Sequence, residues 1–266
     1  MGDILEKIAE ATRIRVEGSK KLVPEDQLRK QALSLYGELG KNCSISFRDA
    51  LAKDGMSFIC ECKKASPSKG IIAEDFPYLE IAKDYEAAGA SAISVLTEPQ
   101  WFKGDLKFLK EISSEVNIPV LRKDFTVSPY MIYEAYINGA SAVLLICSLL
   151  DKDTLEEYIC IAKSLGLDAL VEAHDENEVE MAIAAGAEII GVNNRDLRTF
   201  EVNASNCLRL RDKVPEDVLF VAESGIKDRE DIKILEDNKV DAVLIGEALM
   251  ISSDRKAYLN GLKYGN

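Results

Sequence analysis

Histidine is almost missing: the 266 residues contain one, His174. One imidazole is too few for a histidine-based zinc site, so acid–base chemistry has to come from other side chains. His174 itself reads as a solvated loop residue. Positive charge is also short, with 33 Lys+Arg against 46 Asp+Glu and a formal charge of −13. That balance argues against a nucleic-acid binder, which would carry a basic stripe. Any anionic ligand must therefore find local positive groups. None of the six cysteines, Cys43, Cys60, Cys62, Cys147, Cys160 and Cys207, forms a CxxC pair. Free, buried thiols in a reducing compartment are expected. No apolar run has the length of a membrane span and no hydrophobic leader opens the chain. The expectation is a cytoplasmic protein with neither a membrane nor a nucleic-acid partner. No GxGxxG follows the first strand, which removes the main evidence for a dinucleotide site.

What is present is a hydrophobic content of 47%, enough for a real core, arranged in a regular alternation. Ile4, Leu5, Ile8, Ala11 and Ile14 recur at roughly helical spacing and mark a helix over Asp3–Val16. A second amphipathic piece follows Pro24 and a third covers Phe47–Ala52. The first good strand comes at Phe58. Further strands are expected at Ala92–Leu96, Pro119–Arg122, Ala142–Cys147, Ala169–Glu172, Ile189–Val192, Val218–Ala222 and Ala242–Ile245. Each is followed by a helix, the last one running from Glu247 to Lys263. A weak repeat supports the count: Ala88-Gly89-Ala90, Gly139-Ala140 and Ala185-Gly186-Ala187 each end a helix before a strand, and Lys239-Val240-Asp241 holds the matching place before the last. Apolar rather than alternating strands belong to a parallel sheet covered on both faces. Eight strand–helix units predict a TIM (β/α)8 barrel in one domain, with residues 1–56 as a helical extension and 57–266 as the barrel.

In such a barrel the active site lies at the C-terminal ends of the strands, so those ends can be read for chemistry. Side chains alternate along a strand. Ile59, Glu61 and Lys63 share one face of the first strand, and an acid and a base stand side by side before a polar loop. Alone, that pair could be a stabilising ion pair. Lys123 faces inward with Leu121, and Glu172 with Leu170. Charged residues are seldom buried unless paired, and two lysines with two glutamates at one barrel mouth exceed what packing requires. A buried lysine near another cation loses basicity and a buried carboxylate gains it. The Ser224-Gly225 and Gly246 turns follow the last two strands, where loop N–H groups commonly hold phosphate. Two classes fit: a Schiff-base aldolase with Lys63 or Lys123 as nucleophile, and acid–base chemistry on a sugar phosphate.

Longer motifs separate them. The run Glu61-Cys62-Lys63-Lys64-Ala65-Ser66-Pro67-Ser68-Lys69-Gly70 resembles the first-strand signature of the indole-3-glycerol-phosphate synthase family. In the same family order come Ser94–Glu98 with Phe102 and Gly104, Leu121–Phe125, Val171-Glu172, Gly191–Leu197, Ala222–Ile226 and Leu244–Met250. The resemblance implies ring closure, decarboxylation and dehydration of 1-(2-carboxyphenylamino)-1-deoxyribulose 5-phosphate, in tryptophan biosynthesis, with no cofactor; a monomer is expected, although the sequence itself does not set the oligomeric state. It implies Lys123 as general acid at the ribulose carbonyl. Lys63 would hold the substrate carboxylate and assist dehydration, Glu172 would transfer protons, and Glu61 would position the lysines and share that work. Asn193, Arg195 and Ser224 would bind substrate, with Ser66 in the loop above. Phe102, Phe125, Leu144 and Leu170 would line an aromatic pocket. Gly225, Gly246 and Glu247 mark the phosphate site. Ala65 and Glu247 depart from residues that other members carry, a base and a serine, and an acid at 247 helps a phosphate only if it points away. The polar loop Lys64–Gly70 is expected to close over the substrate. The rivals are the Schiff-base aldolase, phosphoribosylanthranilate isomerase on the same barrel, and a non-enzymatic scaffold, which leaves the inward charges unexplained.

Overall fold

Apolar strands separated by amphipathic helices close into a barrel in the computed structural model, which describes residues 4–39, 46–195 and 205–265. Helices α1 (Ile4–Leu22), α2 (Glu25–Leu39) and α3 (Phe47–Leu51) come first. Then follow β1 (Ser57–Cys62), a hairpin of β2 (Ala65–Ser66) and β3 (Gly70–Ile71), α4 (Tyr78–Ala87), β4 (Ala92–Leu96), α5 (Leu106–Glu115), β5 (Val120–Lys123) and α6 (Pro129–Ile137). The chain continues through β6 (Ala142–Ile146), α7 (Lys152–Ser164), β7 (Asp168–Ala173), α8 (Glu176–Ala184), β8 (Ile189–Asn193), α9 (Ser205–Arg211), β9 (Leu219–Glu223), α10 (Arg229–Asp237), β10 (Ala242–Ile245), α11 (Glu247–Ile251) and α12 (Arg255–Tyr264). The barrel order is β1-β10-β9-β8-β7-β6-β5-β4, closed by parallel pairing of β1 with β4. This is the expected TIM (β/α)8 barrel.

Strand alternation sorts the core into two layers. Phe58, Cys60 and Cys62 face the helices, as do Val143, Leu145, Val171, Ile190 and Val192. Ile59, Leu121, Leu144, Leu170, Ile189, Val221 and Leu244 fill the barrel. Phe47 and Leu51 join the inner layer, and they do so at the N-terminal end. There the Arg48 N–H donates to Asp168 and the Ser57 hydroxyl to the Leu51 carbonyl, at the first residues of β7 and β1. Helix α3 is therefore a plug, which leaves the opposite end of the barrel open. Helix starts at that open end are set by side-chain caps: Asp105, Ser128, Asp151, Asp175 and Asp228 each accept a backbone N–H of the following turn.

Three details differ from the sequence reading. The expected final helix is two, because Asp254 caps a new start at Arg255 after Ser252-Ser253, its carboxylate accepting the Ala257 N–H. The loop after β1 is not featureless: Ala65 and Ser66 pair antiparallel with Ile71 and Gly70. Cys160 is exposed on α7 while Cys60, Cys62, Cys147 and Cys207 are buried, since the helix buries Leu155, Tyr158, Ile159 and Ala162 instead. Lys239 holds the helix-stop position as expected, in the left-handed region at φ 57°, where the three matching repeats use glycine. Cys43, Asp196 and Leu197, with the expected helix start at Asp3, lie outside the described residues.

Candidate active site

The open end holds a cavity of about 620 Å³, within the range of small-molecule sites. Its floor carries the charges that alternation placed inward. Lys63 Nζ lies 2.8 Å from Glu61 Oε1. Lys123 Nζ lies 3.1 Å from Glu172 Oε2 and 2.7 Å from Glu223 Oε2. The carboxylates are almost wholly buried, Glu61 at 4%, Glu172 at 3% and Glu223 at 1% exposure. Glu223 is the residue that the sequence reading missed. It follows Val221 by two positions, and Val221 fills the barrel, so the alternation that singled out Lys123 and Glu172 also points to it.

Two close approaches make room for these carboxylates. A Cβ on Gly191 would collide with Glu223 Oε1, and one on Gly246 with Glu61 Oε1. Gly246 therefore has a packing duty beside any ligand role. No donor among the described residues reaches Glu223 Oε1, an exception that buried polar atoms rarely make.

Burial works against the charge of Lys123, but Glu223, Glu172 and Glu61 outweigh it and hold the ammonium far above the usual lysine range. The cation-depressed lysine anticipated from sequence is not found, because its neighbours are acids. Burial alone would also raise Glu172; the Lys123 charge and the His174 contact overcome it and hold Glu172 below the ordinary carboxylate range. For Glu223 burial prevails over Lys123, and repulsion from Glu172 and Glu61 adds to it, pushing the carboxyl up to about 7. Both acids lean on one ammonium and titrate as a unit, with Glu172 the ionised member and Glu223 the one that holds a proton to higher pH. His174 is not a solvated loop residue: its side chain is 21% exposed and lies between Glu172 and Glu178.

The walls are apolar. Phe102 and Phe125 line the cavity with Leu96, Leu144 and Ile146, their rings 6.0 Å apart. Leu170, expected among them, is fully buried in the inner layer beneath. Phe102 is aimed by Glu98, whose carboxylate accepts the N–H groups of Gln100, Trp101 and Phe102 at 2.8, 2.7 and 3.1 Å. Ile4, Leu5 and Ile8 of α1 complete the wall, so the helical extension enters the site itself. Ser66, Pro67 and Ser68 of the β2–β3 hairpin roof it.

At the rim, Asn193 Nδ2 sits 3.4 Å from Glu172 Oε1, and its Oδ1 accepts the Arg195 N–H at 3.0 Å. Ser224 and Gly225 are successive left-handed residues, φ 67° and 84°, which turn the backbone at the end of β9. Asn194 braces that turn by donating to the Ser224 carbonyl at 3.1 Å. Gly246 is the N-cap of α11. The Glu247 side chain faces Lys69 at 3.5 Å and Arg195 at 3.7 Å, so it holds two rim cations.

The indole-3-glycerol phosphate synthase family model matches residues 5–262. The chain belongs to that family. The indole-3-glycerol phosphate synthase of Ruminiclostridium cellulolyticum is 56% identical over 98% of each chain. That of Endomicrobium trichonymphae is 54% identical, covering 98% of this chain and 99% of its own. Among solved structures, 3-hexulose-6-phosphate synthase from Salmonella typhimurium has a TM-score of 0.64 at 16% identity, over 78% of this chain and 97% of its own. That likeness concerns the barrel alone. The inward acids and lysines at the ends of β1, β5, β7 and β9 line one cavity, and the motifs read from the sequence fall on the strand ends that surround it.

Proposed function

We propose that Lys123, Lys63, Glu172 and Glu61 carry out the family's reaction on 1-(2-carboxyphenylamino)-1-deoxyribulose 5-phosphate, with Glu223 as a fifth participant. As an indole-3-glycerol phosphate synthase the chain is a carboxy-lyase of tryptophan biosynthesis. The observation that carries the residue roles is Lys123, clamped between Glu172 and Glu223 on the floor of a cavity with aromatic walls.

In the first step the ring carbon bearing the carboxylate attacks the ribulose carbonyl carbon. The carbonyl oxygen gathers negative charge and takes a proton from Lys123. A strongly held lysine proton suits this, because the developing alkoxide is more basic than the amine. The bond to the carboxyl carbon then breaks, carbon dioxide leaves, and its electrons restore the aromatic ring. In the second step the new hydroxyl departs as water with a proton from Lys63. Glu172, kept ionised, removes a proton from the adjacent carbon, which completes the indole. Glu61 orients Lys63 through their 2.8 Å pair. Asn193, Arg195, Ser224 and Ser66 contact the substrate chain, and Phe102 stacks on its arene. The phosphate takes the backbone N–H groups at Gly225 and Gly246–Glu247, with the Glu247 side chain turned to Lys69 and Arg195. The β2–β3 hairpin closes over the bound molecule, which slows hydrogen exchange in residues 64–70 when a product analogue is added.

The reading includes a monomer in the cytoplasm, and the buried free thiols support a reducing compartment. Light scattering tests the monomer. The chemistry is tested by indole absorbance and carbon dioxide release from the proposed substrate. Lys123→Ala should abolish both while circular dichroism stays native. Activity surviving in that variant, or a borohydride-trapped lysine adduct, would overturn the assignment.

A further inference from the structure

His174 is the chain's single histidine, and no step above uses it. It does not line the cavity, but Glu172, which does, lies against it. His174 Nε2 is 3.3 Å from Glu172 Oε1, an ion-pair contact that falls short of hydrogen-bond geometry. On its other side Nδ1 is 3.1 Å from Glu178 Oε2, and that same oxygen accepts the His174 backbone N–H at 2.7 Å. One residue thus grips Glu178 twice, while Asn206 of α9 donates to the His174 carbonyl at 3.1 Å. Cys147 packs beside the Glu178 backbone, and Lys123 lies beyond Glu172. The ring has a carboxylate at each nitrogen and a fixed backbone.

The carboxylate of Glu172 needs such a brace. The terminal torsion of a glutamate is broad and nearly two-fold, so its two oxygens can exchange. Oε2 is set by Lys123 at 3.1 Å, whereas among the described residues Oε1 has only the 3.4 Å contact from Asn193 besides His174.

We propose that His174 is a positioning residue, held by Glu178 from α8, which fixes Oε1 of Glu172 and keeps that carboxylate ionised and aimed at the substrate. The inference rests on the proton-transfer role read for Glu172. Glu178–His174–Glu172 is then a carboxylate–imidazolium–carboxylate chain running from the α8 start to the cavity floor. Its electrostatics agree: burial lowers the histidine's basicity, but Glu172 and Glu178 overcome it and raise the imidazole to about 10.

A sole histidine gives a single ring resonance in 13C-labelled protein, so its titration can be followed by NMR without ambiguity. The midpoint should lie well above 6.5, the ordinary value, and should fall in Glu178→Gln. In kinetics, His174→Phe should lower kcat roughly tenfold with KM within about twofold, a fraction of the 10²–10⁴ that a positioned proton-transfer group contributes. The acid limb of its pH profile should move upward, since Glu172 has lost a cation. Glu178→Gln keeps the ring and should shift the same limb, which covers the case in which His174→Phe does not fold. A purely structural histidine would change the melting temperature and leave the limb in place. Folded variants with wild-type kcat and pH profile, alongside a disabled Glu172→Gln, would overturn this inference alone. A fully active Glu172→Gln would overturn the role of Glu172 with it.

Discussion

Arg15→Ala should weaken both the fold and the active site, although Arg15 lies in the helical extension. Its guanidinium reaches Asp124 with two bonds of 2.8 and 2.9 Å and the Thr97 carbonyl at 3.3 Å. Asp124 is wholly buried and directly follows Lys123. It also accepts from the Thr97 hydroxyl at 2.6 Å, the Phe125 N–H at 2.8 Å and Arg122 at 3.3 Å. Arg122 is shared with Glu134 at 2.8 Å, so removing Arg15 leaves two carboxylates for one guanidinium. Breaking a buried pair costs roughly 3–5 kcal/mol. The Arg15 side chain is 27% exposed and Asp124 retains three donors, which brings the expected loss to about 2–3 kcal/mol. At about 2–4 °C per kcal/mol for a chain of this order, the melting temperature should drop by about 5–10 °C. The sign of the pH dependence follows from Asp124. Burial would raise it, but Arg122 and Arg15 prevail and hold its carboxyl below the usual range. A depressed carboxylate stabilises fully above its unfolded value, about 3.9, and loses that contribution as pH falls through the folded one. The wild-type and variant melting curves should therefore converge in acid. Arg15→Lys should fall between them, because an ammonium lacks the fork. Calorimetry from pH 3 to 7 measures this. A difference below about 0.5 kcal/mol at neutral pH, or one that persists unchanged in acid, would refute the clamp.

Gly191→Ala places a Cβ against Glu223 Oε1, the movable end of a side chain. The fold should hold within about 1 kcal/mol, while kcat falls roughly tenfold as Glu223 leaves Lys123. A normal kcat would show that Glu223 is dispensable there. Glu247→Gln frees Lys69 and Arg195 from a competing carboxylate, and half-exposed pairs of this kind are worth about 0.2–1 kcal/mol each. KM should fall about threefold with kcat unchanged, less so in high salt, and a raised KM would mean that Glu247 contributes to binding.

The barrel was legible because its strands are buried on both faces and read as apolar runs, and because period-two alternation carries over from sequence to barrel without a partner having to be known. Lys123 and Glu172 were found this way, and Glu223 was available by the same step from Val221. The loop-borne part of the site was less so. Glu98 organises Phe102 through three backbone N–H groups, a geometry with no residue spacing to announce it. Arg15 finds its partner 109 residues away, and within α1 it looks like any charge on an amphipathic helix. Electrostatic sign was misread for a related reason. Two lysines read from separate strands suggest mutual repulsion, whereas in the barrel each lysine is nearest a carboxylate.

That arrangement has a consequence for how one barrel runs acid and base steps with so little histidine. Roles separate when neighbouring titratable groups are pushed apart, and here the separating agent is Lys123. Glu172 receives its charge together with that of His174 and stays ionised, ready to accept a proton. Glu223 shares the same ammonium but is pushed up to about 7 by burial and by Glu172 and Glu61, so near neutrality it is partly protonated. On the proposed reaction, Lys123 gives its proton to the alkoxide, and the protonated Glu223 at 2.7 Å is the group placed to return one. Lys123 would then be reprotonated first from within the cluster, and the one proton that each turnover consumes in releasing carbon dioxide and water would enter from solvent afterwards.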